Sequence, residues 1–190
     1  MRNDTDYIET YTGMKFYPFS KNAIEVNILD IGHSLSHQCR FGGHCKEFYS
    51  VAQHSLLVAE ILKDRGANTL IQLFGLLHDA TETYMIDLPS PMKKHMPEYK
   101  KAENVLHDVI WEYLELPIPT KEQWEIVKEV DVLLLQFEAK NLLSFAYWAD
   151  HSVELPNVDI KEELPSEVKK RFISRYESLR KEWYQENKRE

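Results

Sequence analysis

Two histidines and two aspartates occupy positions where an unpaired polar or charged side chain would be costly. His78 and Asp79 directly follow 70–77, a nearly all-apolar segment, and a charged group there is unfavourable unless it is paired or bound to a metal. Helical spacing places Asp131 near the core-facing stripe of its segment, and His54 lies in a further apolar stretch. Imidazole nitrogens and carboxylate oxygens bind divalent Zn, Co, Mn, Ni or Fe well. The residue types therefore indicate a metal site.

The segments that must position these residues show the spacing of helices. Ser50 with Gln53, and Thr120 with Gln123, form capping boxes that each predict the start of a helix. Apolar residues at helical spacing predict helices at 28–39, 51–65, 70–77, 99–114 and 121–143, and beyond Pro165. No run alternates with period two for long enough to predict a strand. We expect an all-α fold, with an irregular arm at 1–25 and one compact multi-helix domain at 26–190.

Composition and charge narrow the range of partners. Apolar residues make up 43% of the 190 residues and charged residues 28%, which is ordinary globular composition. The net charge of −8 repels a nucleic-acid backbone, so we expect no nucleic-acid polymer as a partner. Two cysteines, no leader-like segment and no long apolar run predict a reduced, cytoplasmic protein without a membrane partner. A small phosphorylated ligand remains compatible, because one bound cation reverses the local potential.

The ordered set His54, His78-Asp79 and Asp131 resembles the HD-domain superfamily of metal-dependent phosphohydrolases. Neighbouring segments strengthen the resemblance to bacterial HD-type 5'-deoxynucleotidases and phage dATP triphosphohydrolases. These segments are His-Asp-Ala-Thr-Glu at 78–82, Asp-Leu-Pro-Ser-Pro-Met-Lys at 87–93, Val-Ala-Gln-His-Ser at 51–55 and Cys-Arg-Phe-Gly-Gly-His at 39–44. The resemblance runs from about residue 31 to residue 131, and it implies the compact HD-domain fold.

The resemblance also implies roles for the candidate site residues. His54, His78, Asp79 and Asp131 would bind one divalent transition metal, and the resemblance also allows additional Mg. Such a metal lowers the pKa of a bound water and neutralises phosphoryl charge. Glu82 would orient or deprotonate the water, or protonate the leaving oxygen, from a helix that continues past Asp79. The alternative for Glu82 is an ordinary surface carboxylate.

The substrate contacts implied by the resemblance lie on two segments. Arg40 would clamp the phosphate, since a planar guanidinium holds two oxygens at once, and would thereby assist catalysis. Asp87 would lie on the sugar side, and Phe41 stands where the family carries a Trp that excludes the ribose 2'-hydroxyl. His44 and Lys93 would add a phosphate contact and positive charge at the pocket mouth. The resemblance implies the family's preference for deoxyribose only weakly for this protein, because Phe41 has no indole N–H.

Three functions fit this set of residues. The leading prediction is an enzyme, a 5'-deoxynucleotidase that converts a deoxynucleoside monophosphate to a deoxynucleoside and phosphate. The first alternative keeps the same site and releases triphosphate from a deoxynucleoside triphosphate. The second is an HD sensor module that binds a nucleotide without catalysis, which the presence of Glu82 beside a complete ligand set disfavours.

We also expect a homo-oligomer. The candidate exposed residues for its interface are Trp111, Trp148 and Trp183, and the alternative for each of them is packing in the core.

Overall fold

Helices make up nearly all of the regular structure in residues 7–17 and 25–188, the part of the chain that this computed structural model describes. The helices are α1 Ile28–His37, α2 Val51–Asp64, α3 Thr69–Leu77, α4 Glu82–Met85, α5 Ser90–Lys93, α6 Pro97–Tyr113, α7 Lys121–Leu142 and α8 Pro165–Asn187. The predicted all-α fold class is confirmed. Between α1 and α2, residues Arg40–Gly43 form a tight turn.

Side chains at the helix starts form the predicted caps. The Ser50 hydroxyl accepts from the Gln53 backbone N–H, and the Gln53 side chain accepts in return from the backbone N–H of Ser50. Thr120 and Gln123 make the same reciprocal pair at the start of α7. Both capping boxes are thus confirmed, and they fix where the helices that carry His54 and Asp131 begin. Asn68 is the N-cap of α3, and its side chain accepts from the backbone N–H of Ile71.

The segment predicted as an irregular arm contains a small hairpin. Strand β1, Ile8–Glu9, pairs antiparallel with β2, Lys15–Phe16, and strands of two residues are too short to produce a period-two pattern. Phe16 is buried and stacks on Tyr84, with ring centroids 4.3 Å apart. Residues 1–6 and 18–24 of the arm lie outside the described residues, so its boundary with the domain stays a prediction.

The helices that carry the candidate ligands pack directly against one another. Helix α2 lies along α3, α7 packs on both of them, and α8 covers α1 and α3 on the other side. Fully buried aliphatic and aromatic side chains fill the space between these helices. This packing brings α2, the end of α3 and the middle of α7 to one place.

The three tryptophans predicted as candidate exposed residues differ in their solvent exposure in the structure. Trp111 is 0% exposed and packs edge-to-face on Phe74, so its prediction as a surface residue is wrong and its core-packing alternative holds. Trp183 is partly buried against the core. Trp148 is 57% exposed. Within 7–17 and 25–188, none of the helices has the length and apolar character needed to cross a bilayer.

Gly75 sets how closely α3 approaches α2. A Cβ at this position would clash with Leu62 Cδ1 and would lie 3.2 Å from Val58 Cγ1. We predict that Gly75→Ala lowers the free energy of unfolding by about 1–2 kcal/mol, because overpacking outweighs the gain in helix propensity. Urea denaturation measures the change. In a Leu62→Ala background the same substitution should lower the free energy of unfolding by clearly less, since the clashing methyl group is gone. An equal cost in both backgrounds would show that Leu62 does not limit the approach.

Candidate metal centre

Side chains from α2, the end of α3 and α7 converge on one point. The Nε2 atom of His54 lies 3.3 Å from Nε2 of His78 and 3.2 Å from Oδ1 of Asp131. One ligand atom from each of these three residues lies within 4.8 Å of the other two, a spacing that could hold a metal ion. His54 is 0% exposed and Asp131 is 8% exposed. The convergence is therefore a property of the packed core.

Asp79 stands at the edge of this cluster. Its Oδ2 lies 3.2 Å from Nε2 of His78 and 3.9 Å from Nε2 of His54. The structure thus brings all four predicted ligands together, with three of them in the tightest group. Lys128 contacts the other oxygen of Asp131, Oδ2, with a side chain that is 62% exposed.

The hydrogen bonds of the two imidazoles define which nitrogens face the cluster. Nδ1 of His54 lies 2.7 Å from Oε1 of Glu138, and Nδ1 of His78 lies 2.7 Å from the carbonyl oxygen of Gly75. The Gly75 carbonyl can only accept a hydrogen bond, and so can Glu138 when it is ionised. Each Nδ1 therefore carries a proton, and each imidazole, when neutral, has its lone pair on Nε2. Two lone pairs would then face each other across 3.3 Å. A cation between them relieves this contact, and the donor set suits a divalent transition metal.

Glu138 is the main residue of this site that the sequence reasoning missed. It is 0% exposed, and besides His54 it accepts from the Tyr49 hydroxyl at 2.8 Å and from the Arg40 guanidinium at 3.2 Å. A carboxylate that accepts from the outer nitrogen of a ligating histidine fixes the ring and raises its basicity. The available signal was the spacing of seven residues from Asp131, which puts both acids on one face of α7.

The electrostatics of the cluster favour positive charge. Burial lowers the pKa of His54 and His78, and the charge of Arg40 lowers that of His54 further, yet carboxylates raise both above the ordinary value: Glu138 and Asp131 act on His54, and Asp79 and Asp131 act on His78. Burial raises the pKa of Asp79 and Asp131, but the two histidines lower it by more. Protons and a metal ion compete for the same imidazole nitrogens, so metal binding here releases protons.

Arg40 belongs to the same buried network. It is 8% exposed, and its NH1 lies 3.7 Å from Oδ2 of Asp79, in addition to its bond to Glu138. The turn that carries Arg40 has three successive left-handed residues, Phe41, Gly42 and Gly43, with φ of 54°, 60° and 83°. A phenylalanine in this region is strained, and such strain clusters at functional sites.

The remaining predicted substrate contacts make no hydrogen bond or ion pair with the four ligand side chains, although Asp87 lies close enough for its charge to interact with Asp79 and His54. His44 is exposed and Phe41 is half-buried, with its ring 5.7 Å from Cζ of Arg40. The Lys93 ammonium lies 3.3 Å from Glu82 and 2.8 Å from Glu103, so it bridges two carboxylates. The Asp87 backbone N–H donates to the Gln38 side chain, whose amide also donates to the Glu82 carbonyl. Gln38, unforeseen from the sequence, therefore ties the 82–87 segment to the end of α1.

Glu82 is buried beside the cluster, although the helix before it does not continue as predicted. Helix α3 ends at Leu77, and α4 begins at Glu82 after a turn in which the Glu82 N–H donates to the Asp79 carbonyl at 2.9 Å. Glu82 is 4% exposed, so its surface alternative is wrong. Burial, and then the charges of Asp79 and Asp87, raise its pKa well above the usual range. A raised pKa favours the protonated form of this carboxyl group, which suits a residue that donates a proton.

A cavity of about 390 Å³ opens beside the cluster, between the end of α3 and the helices α6 and α7. His78, Asp79 and Asp131 form part of its wall. A larger groove of about 820 Å³ lies between α2, α8 and residues 157–163, and none of the predicted site residues lines it. The smaller cavity therefore gives one route by which a ligand could reach the cluster.

Comparisons with known proteins agree with this fold and site. An all-α fold with this His/Asp cluster fits an HD-type phosphohydrolase. The chain is 38% identical over 136 residues to the uncharacterized protein YfdR of Escherichia coli (strain K12), an alignment that covers 72% of each chain. The chain belongs to the same family as YfdR. No family model matches it.

Two further relatives extend the comparison. An uncharacterized protein of Rhodobacter capsulatus is 28% identical over 174 residues, which cover 82% of this chain and 86% of that protein. The 5'-deoxynucleotidase yfbR of Photorhabdus temperata is 31% identical over 122 residues, which cover 50% of this chain and 62% of that protein. The match to a relative with a named activity therefore spans half of the chain.

Glu138 offers a test of how the centre is held together. We predict that Glu138→Gln weakens binding of Zn²⁺ or Co²⁺ about 10- to 100-fold, because the His54 ring loses its charged acceptor and Arg40 loses a partner. Competition with a chromophoric chelator measures the dissociation constant. Glu129→Gln, an exposed substitution on the same helix, is the matched control. Unchanged affinity in a folded Glu138→Gln protein would contradict the assigned role.

Proposed function

We propose that this protein is a metal-dependent phosphohydrolase that acts on deoxynucleotides, and in particular a 5'-deoxynucleotidase. The observation that carries the proposal is the convergence of His54, His78, Asp79 and Asp131 around a pair of Nε2 atoms. The relatives named 5'-deoxynucleotidase support the reaction class. In the proposed reaction, water attacks the phosphorus of a deoxynucleoside 5'-monophosphate, the bond from phosphorus to the 5'-oxygen breaks, and the nucleoside leaves as an alcohol.

The four ligand side chains would hold one divalent transition metal, such as Co, Mn, Zn, Ni or Fe. When bound, the metal makes a water more acidic and draws charge from a phosphoryl oxygen. Two neutral imidazoles and two carboxylates would hold the ion without filling every ligand position, so that a water and a phosphoryl oxygen could also bind. Glu138 keeps the His54 ring in the required orientation through its hydrogen bond to Nδ1. The additional Mg expected from the resemblance remains a proposal.

Glu82 and Arg40 would serve the chemical step in different ways. The raised pKa of Glu82 suits a group that donates a proton to the leaving 5'-oxygen, or that first takes one from the attacking water. Lys93, which contacts Glu82, stabilises its ionised form after that transfer. Arg40 lies against Asp79 and would balance the negative charge that the phosphate brings to this edge of the cluster.

The other proposed substrate contacts are Phe41, His44, Asp87 and Lys93. Phe41 sits beside Arg40 on the strained turn, and Asp87 is joined to the same region through Gln38. Lys93 is engaged with Glu82 and Glu103, so its proposed role is to set the charge around Glu82. His44 is exposed at the end of the turn, where it could reach a phosphate that Arg40 holds.

Association into a homo-oligomer is a further proposal. Trp148 is exposed in a segment that also exposes Tyr147 and Phe145, whose rings stack with centroids 5.3 Å apart. Contiguous exposed aromatic side chains commonly mark protein interfaces.

We predict that the wild-type protein releases phosphate from deoxynucleoside 5'-monophosphates only when a divalent metal is present. Asp79→Ala should reduce this rate by at least about 100-fold, because it removes a ligand. The measurement is phosphate and polyphosphate release from mono- and triphosphates of deoxy- and ribonucleosides with Mn, Co, Zn or Mg. Asp64→Ala, an exposed aspartate at the end of α2, is the matched control and should retain full activity.

The products distinguish the alternatives. Release of triphosphate in place of phosphate would assign the deoxynucleoside triphosphate reaction to the same site. Stoichiometric metal binding without hydrolysis of any nucleotide would overturn the enzyme proposal in favour of a nucleotide sensor.

A further inference from the structure

The two cysteines of the chain stand on either side of the strained turn between α1 and α2. Cys39 directly precedes this turn, Arg40–Gly43, and Cys45 follows it after one further residue. A hydrogen bond from the His44 N–H to the Phe41 carbonyl, 3.2 Å long, closes the turn. Because the chain folds back on itself here, two residues that are six positions apart in the sequence come together.

The two thiol groups interact directly. Burial is the main cause that raises the pKa of Cys45 to about 12, followed by the charge of Cys39 and a hydrogen bond between the two side chains. Both cysteines are free thiols, and both are partly exposed, so a small oxidant in solution can reach them. Two neighbouring, accessible thiols are the arrangement from which a disulfide forms.

The Cys45 thiol also holds the backbone of Arg40 in place. Its Sγ donates to the Arg40 carbonyl at 3.3 Å, while the Arg40 N–H donates to the Tyr49 carbonyl at 2.8 Å. Both backbone groups of Arg40 are thus fixed, and its guanidinium lies against two carboxylates of the buried network. A disulfide would remove the hydrogen of the Cys45 thiol, so that the Arg40 carbonyl would lose this donor. It would also draw Cys45 towards Cys39, across the residue that they flank.

We propose that Cys39 and Cys45 form a redox modification site, at which a peroxide converts the two thiols to a disulfide and thereby releases Arg40 from the buried network. With hydrogen peroxide, the sulfur of Cys39 attacks one oxygen, the O–O bond breaks, and a sulfenic acid and one water form. The sulfur of Cys45 then attacks the sulfenic sulfur, and the S–S bond forms as a second water leaves. The two sulfurs lose two electrons in total, which the peroxide gains.

The order of these steps follows from the surroundings of the two thiols. The raised pKa of Cys45 keeps this residue as a thiol, so the peroxide reacts first at Cys39. Oxidation of Cys39 then removes its negative charge, which is one of the causes that raise the pKa of Cys45. In a reducing environment the pair returns to two thiols, so the bond suits a reversible switch and not a permanent link.

The effect of the disulfide on the reaction rests on the proposed function, in which Arg40 balances the charge of the phosphate, whereas the thiol chemistry does not. None of the four metal ligands lies between Cys39 and Cys45. The oxidised protein should therefore keep its metal while its rate falls.

The test uses the full chain loaded with Zn²⁺, which peroxide does not oxidise. After hydrogen peroxide treatment we expect the mass to fall by two hydrogen atoms, and kcat/KM for a deoxynucleoside 5'-monophosphate to fall about 10- to 100-fold, the effect of one lost charge-assisted hydrogen bond. Dithiothreitol should restore both. Cys45→Ser is the matched control, because its hydroxyl can still donate to the Arg40 carbonyl but cannot form a disulfide. It should keep its full rate before and after treatment. An equal loss of rate in Cys45→Ser, or a disulfide that leaves the wild-type rate unchanged, would overturn the proposal.

A measurement without substrate keeps this proposal separate from the proposed reaction. Trypsin cleaves after arginine, and Arg40 is 8% exposed in the reduced protein. Limited digestion should cut the bond after Arg40 at least about 10-fold faster in the oxidised wild-type protein, since the released side chain becomes accessible. Faster cleavage without hydrolysis of any nucleotide in either redox state would support the redox site while the proposed function fails. Hydrolysis by a protein that forms no disulfide with peroxide would support the function and overturn the redox site.

Discussion

Burial of several carboxylates at one point is the constraint on which the rest of the structure depends. Asp79, Asp131 and Glu138 lie within a few hydrogen bonds of one another, and the Arg40 guanidinium lies between Asp79 and Glu138. Such a group of negative charges is unfavourable in a low-dielectric interior unless cations balance it. The raised pKa of His54 and of His78 favours protonation of these imidazoles, which would place positive charge among the carboxylates. A divalent ion does the same and leaves both imidazoles neutral.

Glu138 connects the predicted metal ligand His54 to Arg40. One of its oxygens accepts from His54 and Tyr49, and the other accepts from Arg40. The orientation of a metal ligand on α2 is therefore coupled to the side chain proposed to balance the phosphate charge. Close packing at Gly75 brings α3 against α2, and this contact sets where the His78 ring stands relative to His54. Ligand geometry thus follows from core packing.

Local patterns in the sequence predicted the helices well, because the caps of α2 and α7 are encoded within four residues. Asp131 was predictable as an acid on an apolar stripe. Glu138 was not, since on a helix rich in Glu, Lys and Gln it resembles a solvated residue, and its burial depends on contacts with Arg40 and Tyr49, which are distant in the chain.

The central claim is that one metal ion binds between the two Nε2 atoms. X-ray absorption of the protein loaded with Zn²⁺ or Co²⁺ tests it most directly, together with the metal content per chain. The account predicts one ion per chain, with two imidazole ligands at about 2.0–2.1 Å for zinc and the remaining ligands oxygen. In His78→Ala the scattering from one imidazole should disappear. Metal binding that is absent, or that shows the same two imidazoles in His78→Ala, would contradict the account.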